Sequence, residues 1–254
     1  MDDTYATPVM EMGRGSVVGG YGGGCVTQDL AETFDSADPR KLFTIISNGD
    51  IFYSESTDDG LEPQDYTGYY NFWEQHSRKF FVPDAYRGGY TIESCRSNWI
   101  PYYIRYADVL LMYAEALVKT GGDAQTACDQ INKVRKRAYL TTSITDEEAS
   151  YRLFDSDLST IDEDYFNANL AVTPSDDLLK KIKYERRVEL ACEGLRFNDL
   201  IRWGDYISTM TTYYAKYPAM SKGRSVSTNS WPFPIPQSEI DRSNGALVQN
   251  IYYQ

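Results

Sequence analysis

The residues best suited to chemistry are charged side chains between positions 182 and 204, a stretch that reads IKYERRVELACEGLRFNDLIRWG. With a turn of about 100° per residue, Leu178, Ile182 and Leu190 share one helix face. Glu189 and Glu193 lie near the middle of that apolar stripe. Burying a carboxylate costs several kcal/mol unless a cation neutralises it. The pattern therefore predicts that both glutamates are paired with cations in the folded chain.

The nearest cations belong to the same stretch. Arg186 lies slightly to one side of the stripe, and Gly194 can end the helix in a left-handed turn. A short second helix then carries Arg196 and Arg202. We expect these three arginines to join the two glutamates in one charge cluster that holds the two helices together.

Catalysis is the weaker interpretation of these charges. His76 is the only histidine and no Gly-x-Ser-x-Gly motif occurs, so no nucleophile with an adjacent base is evident. Only a pair of carboxylates, as in a glycoside hydrolase, remains available for hydrolysis. Asp108 and Glu115 share a helix flank, but Arg135 and Arg137 follow in the next helix and favour structural salt bridges. We predict no catalytic residues and no enzymatic activity.

Metal and cofactor sites are not predicted either. The cysteines lack Cys-x-x-Cys spacing, and a single histidine cannot complete a zinc site. The acidic run from Asp155 to Asp164 suggests calcium, but the EF-hand pattern needs glycine where Thr160 stands, so calcium is unsupported. Cys128 and Cys192 are expected to lie in helices as small core residues.

A second set of residues suits binding. Residues 54–100 show no sustained helical or strand period, and DYTGYYNFW within them is dense in aromatic rings. A long loop in a compact domain is usually functional or disordered, and the aromatic density argues against disorder. Flat rings pack on the apolar faces of sugars, while Asp and Asn bond hydroxyl groups. We predict a ligand-binding site formed by Asp65, Tyr66, Tyr69, Tyr70, Asn71 and Trp73.

Composition defines the class of protein and excludes two kinds of partner. The 254 residues are 42% hydrophobic and contain no long apolar run, which indicates a soluble globular protein without a membrane span. A formal net charge of −12 argues against nucleic acid or an anionic membrane surface as a direct partner.

The elements that position these residues are predicted to be mainly helical. A helix that begins near Tyr103 carries apolar residues on opposite faces, including Val109 and Met112, so we expect it to be covered on both sides. The chain turns at residues 121–122, and Asp123 can cap the next helix of an antiparallel pair. Thr27 can cap a shorter helix near the start.

One strand pair is predicted beside these helices. The step Asn48-Gly49 lies between apolar residues 42–46 and 51–53 and suits a two-residue hairpin turn. The predicted fold class is therefore mainly α, with tetratricopeptide-like helical hairpins, long irregular loops and a small β-hairpin.

Three stretches resemble the SusD/RagB family of nutrient-binding outer-membrane lipoproteins. ERRVELACEGLRFNDLIRWG, at 185–204, is similar to the family's central motif. YIRYADVLLMYAEALVKTGGDAQTACDQINKVRKRAY, at 103–139, resembles its helix pair, and WPFPIPQSEID, at 231–241, resembles its C-terminal segment. TQDLAETF, at 27–34, is a weaker fourth match. The resemblance covers nearly the whole chain.

The resemblance implies a single C-terminal domain over residues 1–254, with the family's N-terminal helical half and lipoprotein signal absent from this chain. It implies non-catalytic binding of an oligosaccharide or polysaccharide at the outer-membrane cell surface, and delivery of that glycan to a TonB-dependent SusC-like transporter. Membrane contact would come only through a lipid anchor of the full-length protein. Because ligand residues vary in the family, the motifs transfer none of them. The alternatives are a structural scaffold, a peptide-binding relative and, more weakly, a carboxylate-based glycoside hydrolase.

Overall fold

A computed structural model of the chain describes residues 26–47, 51–53, 61–63, 75–79, 102–140, 161–223, 225–227 and 233–253. The chain divides into two compact units, Met1–Glu193 and Gly194–Gln254. Compact units can belong to one domain, so the single domain predicted for residues 1–254 stays a prediction.

Helices dominate the described part of the first unit, which confirms the predicted mainly α class. The two longest helices, α3 and α4, form a hairpin, although its tetratricopeptide-like character stays a prediction. A π-helical turn, Phe166–Leu170, follows α5. The helices are α1 (Gln28–Ala31), α2 (Arg40–Thr44), α3 (Tyr106–Thr120), α4 (Ala124–Tyr139), α5 (Glu163–Tyr165) and α6 (Leu178–Glu189).

Local signals fix several helix ends as predicted. The Thr27 hydroxyl accepts from the backbone N–H of Leu30 at 3.3 Å, and the Asp123 carboxylate accepts from that of Thr126 at 2.7 Å. These contacts satisfy N–H groups that have no partner within the helix. Gly121 ends α3 with a φ of +71°, a left-handed conformation that suits glycine.

Two apolar clusters form the core of the first unit, and α6 contributes to both. Its first turns, with Leu178 and Ile182, pack in a cluster built mainly from the inner faces of α3 and α4. Near its end, Val188 joins a second cluster that includes Ile45. The first cluster contains Leu110, Leu111, Ala114, Ala127, Cys128, Ile131, Val134, Val172, Leu178 and Ile182, and the second contains Val26, Ala31, Phe34, Ile45, Val188 and Ala191.

The outer face of α3 differs from the prediction. Val109 is 42% exposed and Met112 is 43% exposed, and Tyr106 and Tyr113 are exposed beside them. The expectation that this helix is covered on both sides is therefore wrong for this chain. Only the face towards α4 and α6 carries fully buried apolar residues such as Leu111.

Two short antiparallel strand pairs occur, and their pairing corrects the predicted hairpin. Strand β1 (Ile45–Ser47) pairs with β4 (Gln75–Ser77), and β2 (Ile51–Tyr53) pairs with β3 (Leu61–Pro63). The predicted pairing of 42–46 with 51–53 is wrong.

Only residues 45 and 46 of the predicted first strand are extended, because residues 40–44 are helical. The Asp38 carboxylate accepts from the backbone N–H of Arg40 at 3.0 Å, which supports a helical turn at this point. That turn places the Arg40 side chain beside α6, and the long-range contacts of this arginine override the local strand preference.

The segment after α6 differs in detail from the predicted helix. Helix α6 ends at Glu189, and a turn with Cys192 at a φ of +63° and Gly194 at a φ of +77° follows. The left-handed Gly194 is as predicted. Cys192 therefore lies in a turn, whereas Cys128 is a fully buried helical core residue as expected.

The second unit contains four further helices in its described residues. Two hydrogen bonds connect distant residues near its C-terminus. The Gln249 side chain accepts from the Ile235 N–H at 2.8 Å and donates to the Ile235 carbonyl at 2.9 Å. None of the described helices is long and apolar enough to span a membrane. The helices are α7 (Arg196–Trp203), α8 (Tyr206–Lys216), α9 (Pro218–Ser221) and α10 (Gln237–Arg242), followed by a 3-10 turn, Ile251–Tyr253.

Candidate functional site

The predicted ligand-binding loop lies outside the described residues. This holds for all six of its residues, which stay a prediction: Asp65, Tyr66, Tyr69, Tyr70, Asn71 and Trp73. The described part of the first unit contains a different candidate site, a cavity bordered by the charged residues of α6 and their partners.

Helix α6 and the turn after it carry three carboxylates towards the same group of cations. Glu185 and Glu189 are four residues apart and therefore lie on the same helix face. Glu193 follows in the turn that Gly194 ends. We call these three glutamates and the residues paired with them the charge cluster; its nine members are Asp38, Arg40, Lys79, Arg105, Arg135, Arg137, Glu185, Glu189 and Glu193.

Glu185 is the most deeply buried carboxylate of the charge cluster, with no exposed surface. Arg40 of α2 donates to it at 2.5 Å, and Arg135 of α4 donates at 2.8 Å. Arg40 also donates to both oxygens of Asp38, at 2.9 and 2.6 Å. Such charge-assisted bonds offset the cost of desolvating each ion. Together they join α2 and α4 to α6.

Three arginines donate hydrogen bonds to the Glu189 carboxylate. Arg40 donates to Oε2 at 3.0 Å, while Arg105 and Arg137 donate to Oε1 at 2.8 and 2.6 Å. Burial alone would raise the pKa of Glu189, but Arg137, Arg105 and Arg40 outweigh it, so the pKa is lowered. Glu189 is therefore held as a carboxylate and is a poor proton acceptor.

The end of α6 is capped by cations. Lys79 donates to the Glu189 carbonyl at 2.6 Å, and Arg105 donates to the same carbonyl at 2.7 Å. Both also bond Glu193, Lys79 at 2.6 Å and Arg105 through two nitrogens at 2.7 and 2.8 Å. Cations at a helix C-terminus satisfy exposed carbonyls and complement the helix dipole.

Burial lowers the pKa of each of these cations, but the net shift differs between the lysine and the two arginines. It lowers the pKa of Lys79 despite the neighbouring Glu193. For Arg40, burial is outweighed by Glu185 and Asp38, and the pKa is raised. For Arg105, it is outweighed by Glu193 and Glu189, with the same result. The arginines are thus firmly charged members of the charge cluster.

A cavity of about 490 Å³ opens beside these residues. Tyr102 and Phe43 line it and are 72% and 43% exposed, so their rings are accessible. Of the described residues that line it, four are cationic and two are acidic: Arg40, Lys79, Arg105 and Arg137 against Glu189 and Glu193. Its size falls in the range of small-molecule pockets, about 300–1,000 Å³.

The arrangement is suited to holding charge in place and to binding a small polar molecule. Glu189 accepts hydrogen bonds from three arginines and its pKa is lowered, which reduces its capacity to act as a base. The described residues contain no group of three or more His, Cys, Asp or Glu side chains placed to hold a metal ion.

Sequence reasoning found the glutamates but missed most of their partners. The prediction that Glu189 and Glu193 are neutralised by cations is confirmed. The cations seen on them are Arg40, Lys79, Arg105 and Arg137, which come from four other segments.

The three arginines predicted as partners make other contacts. Arg196 lies 5.9 Å from the centre of the Trp203 ring. Arg186 donates to Asp108 of α3 at 2.6 Å. Arg202 bonds Asp199 in its own helix at 2.9 Å and lies 4.7 Å from the centre of the Trp203 ring.

Arg135 and Arg137 were expected to form salt bridges with Asp108 and Glu115. The structure pairs Arg135 with Glu185 and Arg137 with Glu189, both on α6.

Comparison with models of protein families identifies the family of this chain. The model described as the SusD family matches residues 16–253, which is nearly every residue. The chain belongs to the SusD family. This confirms the resemblance drawn from the motifs at 103–139, 185–204 and 231–241. No significant match to this SusD-family chain is found among curated proteins.

Solved structures with the same fold include surface glycan-binding proteins. The surface glycan-binding protein A from Bacteroides thetaiotaomicron is 23% identical, with a TM-score of 0.60 over 97% of this chain and 46% of that chain. The same protein in complex with laminarihexaose gives 23% identity and a TM-score of 0.59 over 96% and 46%.

A third structure agrees with these two. The surface glycan-binding protein A from Bacteroides fluxus is 22% identical, with a TM-score of 0.60 over 97% of this chain and 45% of that chain. At this identity the likeness concerns the fold. The SusD-family chain spans less than half the length of these relatives.

Proposed function

We propose that this SusD-family protein binds an oligosaccharide or polysaccharide at the outer-membrane cell surface without cleaving it, and delivers it to a TonB-dependent SusC-like transporter. Family membership over residues 16–253 is the observation that carries this proposal. The structural relatives are surface glycan-binding proteins, one of them in complex with laminarihexaose, and this supports the proposal.

The charges of the first unit agree with a role in binding rather than catalysis. Hydrolysis by two carboxylates needs one of them protonated as a general acid. Glu189 is instead bonded to Arg40, Arg105 and Arg137, and its pKa is lowered. A carboxylate kept ionised in this way supports the fold but cannot donate a proton near neutral pH.

We further propose that the aromatic loop from Asp65 to Trp73 contributes the sugar platform. Its rings can pack on the C–H faces of a sugar ring, while Asp65 and Asn71 can bond hydroxyl groups. Stacking of this kind buries a large flat area at little cost in side-chain entropy.

Calorimetric titration with a panel of oligosaccharides that includes laminarihexaose tests this proposal. Calorimetry is preferred to fluorescence because Trp73→Ala removes a fluorophore. The parent chain should bind at least one oligosaccharide, and Trp73→Ala should weaken that binding roughly tenfold or more. Tyr165→Ala is the matched control, since Tyr165 is 52% exposed in α5, outside the loop. It should bind as the parent does.

Two results would contradict the proposal at different levels. If no oligosaccharide binds, glycan binding by this chain is wrong. If an oligosaccharide binds and Trp73→Ala leaves its affinity unchanged, the loop is not the site. Delivery is tested separately by co-purification of the full-length protein with a TonB-dependent transporter from outer membranes, and recovery without any such transporter would contradict it.

A further inference from the structure

We propose that the cavity beside the charge cluster is a second glycan site, which binds a neutral, hydroxyl-bearing residue of the sugar chain. This inference rests on the proposed function, because it assigns a second position on the protein to the same class of ligand. The site is separate from the aromatic loop at 65–73, and its evidence comes from described residues of the first unit.

The charges on the cavity wall are already paired. Each of the four cations that line it forms a salt bridge with one of the two lining carboxylates, Glu189 and Glu193. Arg40 is neutralised further by Asp38 and Glu185. An ion that entered the cavity would lose its hydration beside groups that already have counter-ions, which is costly. A neutral ligand avoids this cost.

Two members of the charge cluster keep hydrogen-bonding capacity that a neutral ligand can use. An ammonium group has three N–H donors, and Lys79 uses two of them, on the Glu189 carbonyl and on Oε1 of Glu193, both at 2.6 Å. Oε2 of Glu193 accepts one bond from a described residue, Arg105, at 2.7 Å, although a carboxylate oxygen can accept two. Within the described part of the chain, this pair thus retains one donor and one acceptor.

A donor beside an acceptor is suited to hydroxyl groups. A hydroxyl both donates and accepts, so the hydroxyls of one sugar ring can accept from Lys79 and donate to Glu193. A ligand carboxylate could only accept, and the charge of Glu193 would repel it. The side chains of Lys79 and Glu193 are 20% and 17% exposed and line the cavity, so both are accessible from it.

The rest of the cavity wall suits the apolar face of a sugar ring. Tyr102 lines the cavity with 72% of its surface exposed, and Phe43 lines it with 43% exposed. Pro39, Ala138 and Val188 add apolar atoms. Flat aromatic rings pack on the C–H faces of sugars, while a few placed polar groups bond the hydroxyls. The cavity combines both features.

Calorimetry on the whole chain tests the inference with neutral laminarihexaose and cellohexaose, and with C6-oxidised cellohexaose as the acidic partner. Tyr102→Ala should weaken the binding of a neutral hexasaccharide roughly tenfold. Tyr103→Ala is the matched control, because Tyr103 is 73% exposed and is not among the described residues that line the cavity. It should bind as the parent does. Both variants should unfold at the urea concentration of the parent, since both side chains are largely exposed.

Hydroxyl-radical footprinting read by mass spectrometry locates the sugar without any substitution. The reagent labels accessible rings, and Tyr102, Phe43 and Tyr103 are all exposed in the free chain. When a neutral hexasaccharide saturates the parent, labelling of Tyr102 and Phe43 should fall relative to that of Tyr103. An unchanged ratio would overturn the assignment to this cavity.

The calorimetric outcomes separate the inference from the proposed function. If the parent binds a neutral hexasaccharide and Tyr102→Ala binds it equally well, the cavity is not a site and the proposed function stands. Tighter binding of oxidised cellohexaose than of cellohexaose would overturn the neutral class of ligand. If the parent binds no oligosaccharide, the proposed function is wrong and this inference with it.

Discussion

The charge cluster has an interior and a rim, built from the same residue types but different in exposure. The interior consists of Asp38, Arg40, Arg135 and Glu185, whose side chains are 0–10% exposed. The rim consists of Lys79, Arg105, Arg137 and Glu193, whose side chains are 17–58% exposed. Glu189, 3% exposed, is bonded to both.

This difference in exposure separates ions that support the fold from ions that border the cavity. An interior ion has little or no exposed surface, although Arg40 also lines the cavity, and removing its partner leaves a charge buried without compensation. A rim ion keeps part of its hydration, so its pairing contributes little to stability, and part of its side chain is exposed at the surface. The interior thus joins three helices, while the rim borders the cavity.

The largest expected effect is on the interior. Glu185→Ala leaves Arg40 and Arg135 without their shared carboxylate, and we expect it to lower the free energy of unfolding by about 3–5 kcal/mol. Urea unfolding followed by circular dichroism measures this. Glu239→Ala, at an exposed pair with Arg242, is the control and should change stability by less than about 0.5 kcal/mol. If the Glu185→Ala chain is as stable as this control, the distinction between a supporting interior and an exposed rim is wrong.

A second prediction concerns Glu189, which is bonded to both the interior and the rim. We expect Glu189→Gln to lower stability by about 3 kcal/mol near neutral pH, because three arginines lose a carboxylate. The arginines lower the pKa of Glu189 in the folded chain below its ordinary value of 4.5. The stabilisation is therefore complete above that value and is lost as pH falls through the folded pKa.

Unfolding measured at several pH values tests this second prediction. The difference in stability between the parent and Glu189→Gln should shrink as the pH falls from about 7 to about 3. The comparison with the variant removes the effect of other carboxylates. A difference that stays constant over this range would show that Glu189 is not held ionised by its arginines.

The smallest effect on stability is expected at the rim. Arg137 is 58% exposed, and Glu189 keeps Arg40 and Arg105 without it. Arg137→Ala should therefore lower the free energy of unfolding by less than about 1 kcal/mol, as measured by urea unfolding. A loss as large as that of Glu185→Ala would place Arg137 in the supporting interior.

Structural features that depend on residues close together in the chain could be predicted from the sequence. Thr27 and Asp123 cap helices as expected, because a cap depends on residues three positions apart. The apolar stripe of α6 likewise predicted that its glutamates need cations. The identity of those cations could not be predicted, since Arg40 lies 145 residues before Glu185 and Lys79 lies 114 residues before Glu193.

Tertiary contacts also overrode two local patterns. Residues 42–46 suggested a strand, but residues 40–44 form a helical turn that places Arg40 against α6. The Asn48-Gly49 step suggested a hairpin, yet β1 pairs with β4, more than twenty residues away. The cavity itself could not be found from the sequence, because its walls come from distant segments that meet only in the fold.

The most direct test of binding without chemistry is to recover a bound oligosaccharide after prolonged incubation. An oligosaccharide that the chain binds in calorimetry is incubated at saturating protein, and newly formed reducing ends are counted. We predict that the sugar is recovered intact, because Glu189 is kept ionised by its arginines. Release of reducing ends that Glu189→Gln abolishes would contradict a supporting role for these carboxylates and would identify them as catalytic.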